Sequence, residues 1–322
     1  MKLISRLTCF VAFMAVCAFA HAQQYPERAI RLIVPYTPGG GTDVMARIIG
    51  AELSKLIGQS VIVENRPGAG GIIGTDIVAK SHPDGYMLAL ISSGHVINPA
   101  LHTHMPFDSV NGVSPVIQVA SGPNVIVVNA AVKAKSLAEL ISLAQREPGQ
   151  LSFGSAGVGN PTHLAGELFQ RVTHTKLLHV PYKGSGQAEV ALAGGEITMM
   201  IDSIPAALPL INAGKTRALA VTGRRRFPLL PDVPTASEAG LAGYDMTTWW
   251  GVIAPPNTPQ AIVSVLNTNI ARVLHEERIR QQFLKFGAEP TTGTAEQFRD
   301  FIAAETGRYA KLIKALGIEP LS

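Results

Sequence analysis

Three consecutive glycines in Pro35-Tyr36-Thr37-Pro38-Gly39-Gly40-Gly41-Thr42-Asp43 stand between an apolar run and a helical pattern. Glycine lets a backbone turn and approach a ligand with no Cβ in the way. A helix that follows offers free N–H groups and the positive end of its dipole. Such a loop holds a carboxylate or phosphate without any basic side chain. It is not a P-loop, because no Gly-Lys-Ser/Thr closes it. The competing reading is a plain tight turn.

A second loop repeats the arrangement: Phe153-Gly154-Ser155-Ala156-Gly157-Val158-Gly159-Asn160-Pro161-Thr162-His163. Ser155, Thr162 and His163 are its candidate hydrogen-bond donors. A third segment, Val180-Pro181-Tyr182-Lys183-Gly184-Ser185-Gly186, offers Tyr182 and Lys183, with Gly184 ahead of another helix. Lys183 reads equally well as a solvated loop residue. Asp202 follows the apolar strand Ile197 to Ile201 and either receives an ammonium group or caps the helix starting near Ser203. Ser92 and Ser93 end the strand Tyr86 to Ile91 and are further ligand candidates.

Other chemistry fits less well. Pro67-Gly68-Ala69-Gly70-Gly71-Ile72-Ile73-Gly74 misses the dinucleotide fingerprint, because Ile73 takes the last glycine position. Ser155, His163 and Asp202 make a triad on paper, but there is no G-x-S-x-G elbow and no spacing that demands one. His102 and His104, with His95 nearby, suggest a metal on one face of a strand, without an evident fourth ligand. The reading is therefore a binding protein with no catalytic residue, cofactor or metal.

Elements must bring these loops together. Ile30 to Val34 reads as a strand, and Thr42 as the cap of a helix to about Ile57, stopped by Gly58. Val61 to Val63 and Tyr86 to Ile91 are strands. A new series begins with Val125 to Val128, then a Ser136 capping box opening a helix to Arg146. Strands at Leu151 to Phe153, Leu177 to Val180, Ile197 to Ile201 and Arg217 to Val221 follow, with helices between them, one entered by Asn160-Pro161. Helices from Thr258-Pro259 to Leu274 and from the Thr294 capping box to Leu316 close the chain. Alternating strands and helices give an α/β class with mainly parallel sheets.

A chain of 322 residues holds two such halves. The expected division is residues 23–123 plus 252–322 for one lobe and 124–251 for the other, joined by two extended crossings. Ligands of such folds bind at strand carboxyl ends, here the cleft between lobes.

Lys2 and Arg6, the apolar run Leu7 to Phe19, and Ala20-His21-Ala22 form a secretory signal, cleaved after Ala22. The run is too short for a spanning helix. Cys9 and Cys17 both lie in it, so the mature chain has no thiol chemistry. Removing Lys2 and Arg6 lowers the net charge from +4 to +2, and the one basic run is Arg224-Arg225-Arg226. No basic stripe with interleaved aromatics supports nucleic-acid binding.

Tyr25-Pro26-Glu27-Arg28-Ala29-Ile30-Arg31-Leu32-Ile33-Val34-Pro35, followed by Pro38 to Asp43, resembles the start of Bug-family receptors. These are the periplasmic binding proteins of tripartite tricarboxylate transporters. Val63 to Gly71, Pro83 to Tyr86, Val180 to Gly184, Pro231 to Thr235 and Trp250 to Pro255 match the family in the same order. The resemblance spans the mature chain. It implies a two-lobed Venus flytrap (type II), acting as a monomer, that closes on one small organic acid or carboxylated amino acid. It implies delivery to integral membrane transporter subunits or a sensor protein. It also implies that Tyr36, Gly39, Gly40, Gly41 and Asp43 hold the carboxylate from the first lobe. On the second lobe the implied residues are Ser155, Thr162, His163, Tyr182, Lys183, Gly184 and Asp202. Tyr36-Thr37 departs from the Phe or Trp and small residue of many relatives, and the resemblance does not name the solute.

Overall fold

Strand β1 (Ile30–Val34) is apolar at every position but Arg31 and buried on both sides. Ile30, Leu32 and Val34 enter one core cluster, whereas Ile33 enters another. A strand covered by helices on both faces needs such a continuous apolar run. The structure is a computed structural model describing residues 25–318 and 320, apart from 159, 243 and 245. The signal segment expected over 1–22 lies outside the described residues.

β1 lies between β2 (Val61–Asn65) and β3 (Met87–Ser92), all parallel. Helices α1 (Gly41–Ile57), α2 (Ile72–Ala79) and α3 (Gly94–Leu101) link them and continue the chain. The second unit has β5 (Ser152–Ser155) between β6 (Leu178–Pro181) and β7 (Met199–Ser203), again parallel. Helices α4 (Leu137–Arg146), α5 (Pro161–Thr173), α6 (Ser185–Gly194) and α7 (Ile204–Asn212) surround it, and β8 (Thr216–Val221) follows. The tail comprises β9 (Thr247–Ala254), α8 (Gln260–His275), α9 (Glu277–Lys285), β10 (Glu289–Pro290) and α10 (Ala295–Leu316).

The halves are joined by β4 (Ser114–Asn129), a strand of 16 residues. Its first part, to Pro123, pairs antiparallel with β9 and β10. Its last part, from Asn124, pairs antiparallel with β7 and β8. The expectation of mainly parallel sheets therefore holds within β1–β3 and β5–β7 and gives way to antiparallel pairing at the junction. β9 pairs with β3 and the first part of β4 from Thr247 onward, and Trp249 and Trp250 lie in the core clusters of β1 and β3. Tyr244 and Met246, just before it, pack with the second unit.

Several local expectations need correction. Thr42 does not cap α1; Gly40 is the N-cap and no side chain closes that end. Ser136 accepts the Glu139 N–H at 3.2 Å, but Glu139 reaches back to the Lys135 N–H at 2.7 Å, so the capping box is shifted by one residue. The box at Thr294 and Gln297 is complete. α9 was not anticipated, since its polar surface hides the apolar pair Ile279 and Phe283. His102 and His104 follow the end of α3 rather than alternating along a strand. His95 is buried in α3, with Nε2 2.6 Å from the Ser109 carbonyl. Among the described residues, no group of three or more His, Cys, Asp or Glu is placed to hold a metal. Nor is any described helix long and apolar enough to cross a membrane.

Candidate functional site

The β1–α1 loop is set by Asp43. Its carboxylate accepts the Gly39 N–H at 3.0 Å and Asn65 Nδ2 at 3.0 Å, and pairs with Arg47 at 2.9 Å. Gly39 needs its glycine, because φ is +88° there. Burial pushes the Asp43 pKa up, but Arg47, the Gly39 N–H and Asn65 outweigh it and hold the group below the ordinary 3.8. A folded pKa below the unfolded one contributes stability that is full above the unfolded value and fades as pH falls through the folded one. Asp43→Ala is expected to destabilise by about 1–3 kcal/mol at pH 7, and by less below pH ~4, in urea titrations at both pH values. Asp43 thus shapes the loop, as its place in the first turn of the helix suggests, and is not among the residues lining the cavity, where the family resemblance would put it.

The cavity itself lies between the two units, with an empty volume of about 370 Å3, part of it open to solvent. The first unit supplies Tyr36, Gly40, Gly41, Thr42 and Ser92. The second supplies Ala156, Asn160, Pro161, Thr162, Ser185, Asp202 and Ser203, while β9 adds Thr248 and Trp250. None of these residues is Lys, Arg or His. The N-termini of α1, α6 and α7 meet here, and none has a side-chain cap. Each such end leaves first-turn N–H groups and a positive dipole end to a ligand.

Polar side chains around the cavity hold one another in place. The Ser92 hydroxyl donates to Tyr36 Oη at 3.0 Å, and Tyr36 donates to the Gly70 carbonyl at 3.3 Å. Burial pushes the Tyr36 hydroxyl up to about 12, so it stays neutral. Thr162 Oγ1 accepts the Ala156 N–H at 2.8 Å and donates to Asn160 Oδ1 at 3.1 Å. Trp250 Nε1 donates to Thr42 Oγ1 at 3.2 Å.

Of the sequence candidates, Tyr36, Gly40, Gly41, Ser92, Thr162 and Asp202 come together in the cavity wall. Gly39 is exposed outside it. Ser93 turns away and accepts the Trp249 N–H at 3.1 Å. Tyr182 and Lys183 border a separate, outer cleft with Gly70 and Gly157, so neither reaches the inner cavity. Gly184 packs against Thr37 at the rim. Thr42, Asn160, Ser185, Ser203, Thr248 and Trp250 were missed as lining residues, although Thr42 and Asn160 had been singled out as helix caps.

Ser155 and His163 form a different cluster. Ser155 Oγ lies 2.7 Å from His179 Nε2, and His179 stacks on His163 at 4.3 Å between ring centroids. Both imidazoles are lowered to about 4, His179 by burial and His163 by burial together with the neighbouring His179. Both are neutral at pH 7, and Asp202 is not bonded to either, so the paper triad does not assemble.

Comparison with known proteins agrees with this geometry. The model of the family described as tripartite tricarboxylate transporter family receptor matches residues 45–318. BugT of Bordetella pertussis is 39% identical over 318 residues, covering 98% of each chain. Rpa4515 of R. palustris, solved with adipate, is 39% identical with a TM-score of 0.90, covering 92% of this chain and 100% of that one. MatC of Rhodopseudomonas palustris, solved with bound malate, is 31% identical with a TM-score of 0.86, covering 90% and 100%. The chain belongs to the tripartite tricarboxylate transporter receptor family, whose members are periplasmic solute-binding receptors and not enzymes.

Proposed function

We propose that this protein captures a small carboxylate between two lobes and hands it to membrane transporter subunits or a sensor. The observation that carries the reading is the meeting of three uncapped helix N-termini in a cavity with no basic side chain. Backbone N–H groups and helix dipoles bind an anion there without the desolvation burden of a buried cation. The adipate and malate carried by two solved relatives support the same ligand class.

The first lobe is taken as residues 25–123 and 247–320, and the second as 124–246. This moves the expected boundary at 252 back to 247, because β9 pairs with β3 and with the first part of β4 along its length. Two crossings, within β4 and before β9, act as the hinge. Ligand contacts to both lobes favour the closed form. Export by the signal segment, cleavage after Ala22 and a monomeric state complete the proposal.

Isothermal titration against di- and tricarboxylates, acidic amino acids and aromatic acids tests it. At least one is expected to bind with micromolar affinity or better. Binding confined to an uncharged solute would sink the reading.

A further inference from the structure

Asp202 is the one carboxyl group among the residues lining the cavity. It is 2% exposed, at the end of β7. Its Oδ1 accepts the Ser203 N–H at 2.6 Å, whereas its Oδ2 has no hydrogen-bond partner among the described residues. Behind it on α6 stands Glu189, 4% exposed, with neither oxygen partnered. Two buried carboxyl groups that feel each other do not both ionise readily. Burial, and then the Asp202 charge, push Glu189 well above the usual carboxylate range. Burial pushes Asp202 up to about 6, with the Ser185 and Ser203 groups pulling it down. Glu189 is raised further than Asp202, so Asp202 is the member of the pair that ionises first.

A buried, anionic acceptor without a donor is unfavourable. The only other titratable group in the lining is Tyr36, whose hydroxyl is committed to the Gly70 carbonyl. No Lys, Arg or His lines the cavity to neutralise the charge. Ser185 and Ser203 act on the Asp202 carboxyl from the same wall, but neither hydroxyl bonds Oδ2, so a bound solute is placed to supply the donor that this oxygen lacks. Resting on the carboxylate reading above, we propose that the solute carries an N–H or O–H donor opposite its carboxylate, and that Asp202 Oδ2 receives it. An ammonium, a primary amide or a hydroxyl meets the requirement. A dicarboxylic acid meets it only as the monoanion, its second carboxyl donating its proton to Asp202. A fully ionised dicarboxylate sets charge against like charge.

The test is titration calorimetry at pH 7.5 on acids matched in length and differing at the far end. At four carbons these are butyrate, 4-hydroxybutyrate, 4-aminobutyrate, succinamate and succinate, and the set is repeated one and two carbons longer. At the preferred length, the best donor-ended acid is expected to bind about 10–100-fold tighter than the methyl-ended one. Any diacid that binds is expected to take up a proton, seen as a dependence of the heat on buffer ionisation enthalpy. Asp202→Asn is expected to shrink the preference for the donor end; should that variant fold poorly, the wild-type series still decides. Three results would overturn the proposal. One is equal binding of the methyl-ended acid, which would mean that water alone satisfies Oδ2. Another is a diacid binding as tightly as its amide with no proton uptake. The third is no binding by any donor-ended acid. Methyl esters of the donor-ended acids separate the two readings: esters that bind as well as the acids would remove the carboxylate end and leave Asp202 as the receiver.

Discussion

Gly184→Ala is expected to weaken solute binding by about 5–150-fold while leaving the ligand-free protein as stable as the wild type. Gly184 has φ 169°, extended backbone that alanine adopts without strain. Its effect is therefore not conformational but steric. A Cβ at 184 would overlap Thr37 Oγ1 and stand 2.8 Å from the Thr37 backbone N, on the other unit. The side chain of Thr37 can rotate away, but its backbone cannot. Overpacking of this kind costs about 1–3 kcal/mol, and only in the conformation that brings 184 against 37. An equilibrium between open and closed forms converts that penalty directly into apparent affinity. Calorimetry on the best ligand, beside thermal melts without ligand, separates the two effects. Wild-type affinity in Gly184→Ala would mean that binding does not require this contact.

Trp249→Ala is expected to lose about 3–5 kcal/mol of stability. Trp249 is 2% exposed on β9 and meets Phe298 and Phe301 of α10 edge-on, at 5.7 and 5.3 Å between ring centroids. Deleting the indole leaves a cavity between the returning C-terminal helix and the sheet. Trp249→Phe is expected to cost much less, about 1 kcal/mol. It keeps most of the apolar contact and removes an Nε1–H that is buried without a partner. Urea unfolding at constant m-value measures both. A loss below 1 kcal/mol for the alanine variant would show that α10 is not anchored through this residue.

The parts of the fold that were legible are those fixed by local chemistry. β1, α1 and the glycine stop at 58 follow from apolar runs and a left-handed C-cap, here at φ 69°. The Asn160 and Thr294 caps were readable for the same reason. β4 was legible only in its last few residues. Pro115 and Pro123 cannot donate to a ladder and read as breakers, yet the strand tolerates both because its partners change along its length. The cavity wall was half legible. Residues at strand ends, such as Ser92 and Asp202, were found because ligands gather there. His163 was not resolved from Thr162, because which of two adjacent residues on α5 faces the cavity depends on how the helix packs. The partner of Ser155 is His179, 24 residues away on the neighbouring strand, and no local pattern announces such a pair. Asp202 had two readings, and the structure combines them in part: one oxygen serves the local backbone and the other is left over.

The rim of the cavity closes with main chain against main chain. A Cβ on Gly186 would lie 2.5 Å from the Pro38 carbonyl oxygen, and one on Gly70 would lie 2.5 Å from that of Val158. The two units cannot separate at these points while such contacts persist, although part of the cavity stays open to solvent. A solute too large for the remaining opening is then expected to leave only when the rim parts, so that its residence time is set by the protein. Chemically different solutes whose affinities diverge would accordingly share a narrow range of dissociation rates wherever parting of the rim is the slow step. A receptor built this way sorts its solutes by how often capture succeeds.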